Sequence, residues 1–237
     1  MNPIKRELEK QILSHLAKIS ISWITGTRRV GQIIFKQIIR QHYSKRTLIL
    51  NTEDFDVQEL LKSISAANYK RILGGATLLI THEAQAPSDI GRILKLQIET
   101  ISPLTILATG RSSFDLSNKT GNHLMNRQFL FHLYPLSQRE TGARETRLET
   151  VQDLKERLIF GSYPELFPMA TYQEKTKYLL DLTQSYLIKD IHSYEGIRHA
   201  DKITRLLRLL AYQPSHEVSY TALAGQLGLF CHFWQNT

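Results

Sequence analysis

The stretch "ITGTRRVGQIIF", residues 24–35, runs from apolar residues into Gly26, passes four residues and meets Gly31. Glycines at this spacing let a backbone turn tightly and bring its N–H groups close to phosphate oxygens. The chemistry that would follow needs a cation and a hydroxyl. In the pattern G-x-x-x-x-G-K-[ST] the Lys reaches the β- and γ-phosphates and the Ser or Thr holds magnesium. Here those two positions are Gln32 and Ile33. Gln32 can donate a hydrogen bond but has no charge, and charge-assisted bonds are about twice as strong as neutral ones. Ile33 has no oxygen to offer, and magnesium takes oxygen ligands. Arg28 and Arg29 keep positive charge in the loop.

A second group lies in "LLITHEAQ", residues 78–85. Phosphoryl transfer uses a carboxylate that orders magnesium and a further residue that orients the attacking water. Glu83 could orient water; the residue before it, where the magnesium-ordering Asp would stand, is His82. Thr109 closes another apolar run. The nine histidines show no metal-ligand spacing, so no metal site is expected. No Ser/His/Asp or Cys/His arrangement stands out.

Elements able to position these residues can be read around them. Ile4, Leu8, Ile12 and Leu16 recur every four residues, which predicts an amphipathic helix. "ISISWIT" predicts a buried strand into Gly26, and "GQIIFKQIIR" a helix after Gly31. "TLILN", "ATLLIT", "LTILAT" and "QFLFHLY" predict four more strands. Helices are expected near "VQELLKSISAA" and from about residue 88 to 99. Short apolar strands alternating with helices argue for an α/β fold with a mainly parallel sheet covered on both faces. Beyond Pro135 the chain turns helical. "SQRE", residues 137–140, is a capping box. Residues 147–158 predict a helix, "FGSYPELF" an interruption, and "ADKITRLLRLLAYQ" another helix. Tyr172, Thr176, Leu179, Thr183, Tyr186 and Leu187 mark the expected core stripe of a long helix, and "VSYTALAGQLGL" a capped short one ending at Gly228.

Composition sets the outer limits. At 237 residues and 42% hydrophobic, the chain can bury a real core. No apolar run reaches membrane-spanning length, and the first residues lack a signal-like apolar centre. With a single cysteine, Cys231, no disulfide can form within the chain, and a cytoplasmic location is expected. The formal net charge of +8 permits contact with DNA or another polyanion.

Taken in order, "GTRRVGQII", "THEAQ", "TGRSSFDL", "LMNR", "PLSQRE", "GSYP", "SYLIKDI" and "VSYTALA" resemble the prokaryotic AAA-type P-loop ATPases that carry a C-terminal winged-helix and nuclease-like region of unknown function. The resemblance covers residues 4–229. It implies a P-loop NTPase fold, ATP and magnesium as ligands, Gly26 to Ile33 as the phosphate loop, Glu83 as the water-orienting carboxylate, Thr109 as a sensor and Arg127 as a phosphate-sensing arginine. Departures fall on the chemistry: Gln32, Ile33 and His82 stand where Lys, a hydroxyl and Asp belong, Arg111 replaces a Ser and Asn126 a Gly. Only "FCHFWQNT" follows Leu229, where a recognition helix would stand.

The expectation is thus an AAA-type ATPase-like domain over residues 1–136, a helical lid or linker over 137–214 and a truncated winged-helix start over 215–237. Its nucleotide site is degenerate, Glu83 a remnant, ATP held weakly if at all, and hydrolysis little or none. The rival readings are a non-catalytic DNA-binding or scaffolding protein, with DNA held non-specifically, and a decayed gene product.

Overall fold

The computed structural model describes residues 4–16, 19–32, 39, 41, 46–110, 128–187, 200–213 and 217–228. All five expected strands form: β1 Ile21–Thr25, β2 Thr47–Asn51, β3 Leu78–His82, β4 Thr105–Gly110 and β5 Gln128–His132. They make one sheet of order β2-β3-β4-β1-β5, every pair parallel. Parallel pairing puts the C-terminal ends of all strands on one edge. That edge carries Thr25, His82 and Gly110, with Thr25 paired to both Gly110 and His132 and His82 paired to Asn51.

Side chains alternate across the strands and feed two cores. One face joins Ile21, Trp23, Leu79, Ile106 and Ala108 to Ile90, Leu94 and Ile98 of α4 (Ile90–Thr100). The other joins Ile24, Leu78, Ile80 and Leu107 to Ile12 and Leu16 of α1 (Leu8–Leu16), with Val30, Ile39 and Leu133. The chain is therefore an α/β domain, its parallel sheet covered on both sides. Gln32, Ile39 and Gln41 are helical, in the segment where a helix was expected after Gly31.

The run "VQELLKSISAA" departs from expectation. Two helices form, α2 Phe55–Lys62 and α3 Ala66–Leu73. Ser65 breaks the run because its hydroxyl accepts the Asn68 N–H at 3.2 Å, and Asn68 Nδ2 donates to Leu60 O and Ser63 O. Such local bonds compete with a continuous helix. The buried Tyr69 hydroxyl donates to Leu61 O at 3.1 Å and holds the two pieces together.

The region after β5 is helical: α5 Gln138–Gly142, α6 Arg147–Phe160, a 3₁₀ turn at Pro164–Leu166, α7 Tyr172–Leu182 running into a π turn to Leu187, α8 Ala200–Ala211 and α9 Tyr220–Gln226. The chain divides into two compact units, residues 1–169 and 170–237. In the second unit the expected stripe is corrected. The buried residues of α7 are Lys175 and Tyr178, whereas Tyr172 is exposed. Spacing alone set that stripe, and the first turn of α7, where Tyr172 lies, faces solvent. Ser219 caps α9 through the Ala222 N–H, and Gly228 takes the left-handed turn (φ 60°) beyond it. Among the described residues, no helix is long and apolar enough to cross a membrane.

Candidate functional site

The glycine loop begins where β1 ends. A Cβ on Gly26 would lie 2.3 Å from the Leu133 carbonyl oxygen, so backbone, not a flexible side chain, excludes any larger residue. Gly31 takes φ 95°, in the left-handed region. Arg29 takes φ 64°, unusual for a residue with a side chain. Its guanidinium pairs with Glu165 at 3.2 Å, partly exposed on both sides, and such a pair contributes little. Thr27 Oγ1 lies 3.4 Å from Tyr163 Oη. Pro164 Cγ lies 3.8 Å from the site of a Gly31 Cβ. The "GSYPELF" segment, read from sequence as an interruption, thus lines the outside of the loop. Arg28 is half-buried within the turn.

Gln32 folds back across the loop mouth. Its Nε2 donates to Gly26 O and to Gly110 O, each at 3.2 Å. A carboxamide nitrogen has two protons, and both are used here. The side chain ties the end of β1 to the end of β4, leaving no amide proton for a phosphate oxygen.

At the end of β3, Glu83 has φ 54°. Strain of this kind costs of order 1–3 kcal/mol and persists only where surroundings impose it. Thr52 imposes it here: its one hydroxyl proton is shared between Glu83 O at 2.6 Å and His82 O at 2.9 Å, while the Ala84 N–H donates to Thr109 O at 2.9 Å. Gln85 Nε2 donates to Glu83 Oε2 at 2.6 Å. His82 Nδ1 lies 3.2 Å from Thr109 Oγ1 and 4.0 Å from Glu83 Oε1. Thr109 Oγ1 donates its one proton to Thr81 O at 3.4 Å, so the bond to His82 closes when His82 carries its proton on Nδ1.

The structure therefore brings Gly26, Gln32, His82, Glu83 and Thr109 to one edge of the sheet. Ile33, Arg111, Asn126 and Arg127 lie outside the described residues. Magnesium, which takes oxygen ligands, does not fit the donor set described: an imidazole stands at the end of β3, and the carboxylate beside it accepts from Gln85. Among the described residues, no cluster of His, Cys, Asp and Glu could hold a metal ion.

Two residues at this edge escaped the sequence reading. Thr52 lies in "TEDFD", which reads only as an acidic turn. Arg6 is 7% exposed although charged. Its Nη1 donates to Val30 O at 2.8 Å, its Nη2 to Tyr134 O at 2.5 Å and its Nε to Glu140 Oε1 at 2.9 Å. Glu140 also accepts the Glu7 N–H and the Ser137 N–H, each at 2.8 Å. Burial pushes the Glu140 carboxyl up, but the Ser137 N–H, the Arg6 guanidinium and the Glu7 N–H together outweigh it and hold the group below its ordinary value. The "SQRE" motif announced the Glu140 capping bond; nothing local announced Arg6.

Comparison with known proteins gives a consistent fold. The sequence model of the AAA domain family matches residues 18–142, just over half of the chain. A domain of unknown function (DUF8612) matches residues 151–231. No curated protein matches the sequence. Among solved structures, the Walker-type ATPase of Pyrococcus abyssi is 14% identical with a TM-score of 0.59, over 95% of this chain and 89% of that one. Bacteroides Pif1 bound to ssDNA is 15% identical with a TM-score of 0.42, over 65% of this chain; the present chain spans only 46% of that protein. A DNA replication initiation factor is 14% identical with a TM-score of 0.42, over 96% of this chain and 83% of that one. A parallel sheet of order β2-β3-β4-β1-β5, a glycine loop after β1 and the match over residues 18–142 lead to one conclusion: the chain belongs to the AAA domain family and has the P-loop ATPase fold.

Proposed function

We propose that this AAA-type chain has a degenerate nucleotide site with little or no ATP hydrolysis. Gln32 carries the argument. The side chain that should neutralise the β- and γ-phosphates is uncharged, and both of its amide protons bond to the Gly26 and Gly110 carbonyls. Supporting it are His82 at the magnesium-ordering position and Ile33 at the hydroxyl position. ATP would meet the loop's backbone N–H groups and the positive charge of Arg28 and Arg29, without the phosphate-bridging lysine or an ordered metal. Glu83 keeps its place, held by Gln85, but lacks the metal and phosphate partners that would give a water-orienting carboxylate its use. The wider assignment rests on the motif order given above: a prokaryotic-type member whose residues 215–237 correspond to the first part of a winged helix.

The test is phosphate release at saturating ATP and magnesium, with nucleotide binding followed by calorimetry with and without magnesium. Release is expected to match a no-enzyme control. A clear turnover signal that disappears in Glu83→Gln would overturn the proposal.

A further inference from the structure

We infer that Arg6 is the positioning residue of the glycine loop, fixing the Val30–Gly31 peptide in place by the protein's own structure rather than by a bound ligand. The inference stands apart from whether the site turns over ATP. It begins with peptide geometry. The Val30 carbonyl and the Gly31 N–H belong to one rigid plane and point in opposite directions. Anchoring the carbonyl therefore aims the amide. Arg6 Nη1 is the anchor, at 2.8 Å from Val30 O, and it sits 3.5 Å from where a Gly31 Cβ would be. The Gly31 N–H accordingly points away from the guanidinium.

The anchor is itself immobile. A guanidinium presents its donors in a fixed planar fork, and here each edge of the fork has its own acceptor. Nε engages Glu140, Nη1 the loop, and Nη2 the Tyr134 carbonyl just beyond β5. Glu140 is held in turn by the Ser137 and Glu7 N–H groups. Side chains of both Arg6 and Glu140 are nearly closed to solvent, at 7% and 6% exposure. Burying such a pair gains little stability over an apolar replacement. What the guanidinium provides is a bond to three separate segments at once, with the loop as one of them. A lysine in its place would keep the charge but could not reach all three acceptors in one plane.

That difference gives the test. Full-length protein is compared with Arg6→Lys, Arg6→Gln and Glu140→Gln by melting temperature and by ¹⁵N relaxation of residues 27–32 and 105–110. In the natural chain both segments are expected to be rigid, with order parameters near about 0.85, and in Arg6→Lys the loop alone should fall below about 0.6. Glu140→Gln keeps an acceptor for Nε and leaves the Arg6–Val30 bond intact. It should lower the melting temperature while the loop stays rigid. Loop order that tracks melting temperature across all variants would make Arg6 an ordinary stabilising residue and overturn the inference. A loop that remains rigid in folded Arg6→Lys overturns it too. Should both Arg6 variants fail to fold, Glu140→Gln decides: a rigid loop in the destabilised protein supports the assignment, and a loosened one refutes it.

Discussion

Among the described residues, three helices open with the same motif, and one of those openings reaches the site. Ser137–Glu140 starts α5, Thr146–Glu149 starts α6 and Thr171–Glu174 starts α7, each with both reciprocal bonds of a capping box. Locally they are alike. In α5, however, the glutamate is nearly closed to solvent and joins Arg6, Glu7 and through them the glycine loop. In α6 no residue is buried at all, and Leu148, Val151, Leu154, Leu158 and Ile159 are exposed. The motif specifies where a helix begins. Whether its carboxylate stops at the helix end or becomes the hub of a tertiary network is decided by residues far away in sequence.

The largest expected effect sharpens that contrast. Glu140→Ala leaves the Arg6 guanidinium buried without its carboxylate, which costs about 3–5 kcal/mol. Urea denaturation of the natural and variant proteins at neutral pH measures it. A cost near that of losing a single cap would mean that Arg6 finds another partner and that the network is less committed than its geometry implies.

Acid should expose the same carboxylate. A group whose folded pKa lies below its unfolded value adds stability above the unfolded value and loses it as pH falls through the folded one. Glu140 is such a group, despite the opposing effect of burial. As pH is lowered from 7 toward 3, the stability gap between the natural chain and Glu140→Gln should narrow, read from urea midpoints across that range. A gap that stayed constant would show that the charge of Glu140 contributes nothing.

The cap hydroxyls come next. Ser137→Ala and Thr146→Ala each remove the bond to an N3 amide, worth about 1 kcal/mol, and Thr146→Ala also removes an exposed bond to the Glu149 carboxylate that adds little. The two costs should be similar, because this half of the box is local in both helices. Smallest of all are Glu149→Gln and Glu174→Gln. Backbone and hydroxyl bonds from Thr146 and Thr171 lower both carboxyls, but both groups lie in water, and their melting temperatures should stay within error of the natural protein. A marked loss at Glu149 alone would place α6 against something in solution.

Much of this could be read from the sequence, for a physical reason. Strand identity follows from β-branched and aromatic runs between turn residues, and all five strands fall where "ISISWIT", "TLILN", "ATLLIT", "LTILAT" and "QFLFHLY" put them. The loop glycines followed from spacing. Where bonds are local but compete, the reading slipped: Ser65 divides one apparent helix into α2 and α3. Periodicity also overreached in α7, since spacing does not say which face meets a neighbour, and the buried pair proved to be Lys175 and Tyr178. Arg6 and Thr52 were invisible because their meaning lies in contacts. Thr52 meets His82 thirty residues on, and Arg6 meets Glu140 at a separation of 134. Gln32 was recognised as uncharged, but its use as a tie between two carbonyls needed β1 and β4 side by side.

The reach of Arg6 also bears on how the chain is made. The glycine loop is complete as sequence once residue 32 has been synthesised, yet the guanidinium that holds Val30 takes its other partners from Tyr134 and Glu140. A ribosome must add more than a hundred further residues before those partners exist. Until then Arg6 has neither its carboxylate nor the carbonyl beyond β5, and the helix that supplies Glu140 has not begun. A loop that is made early along the chain is thus secured late. A nascent chain halted before residue 134 would carry the glycines without the clasp that shapes them.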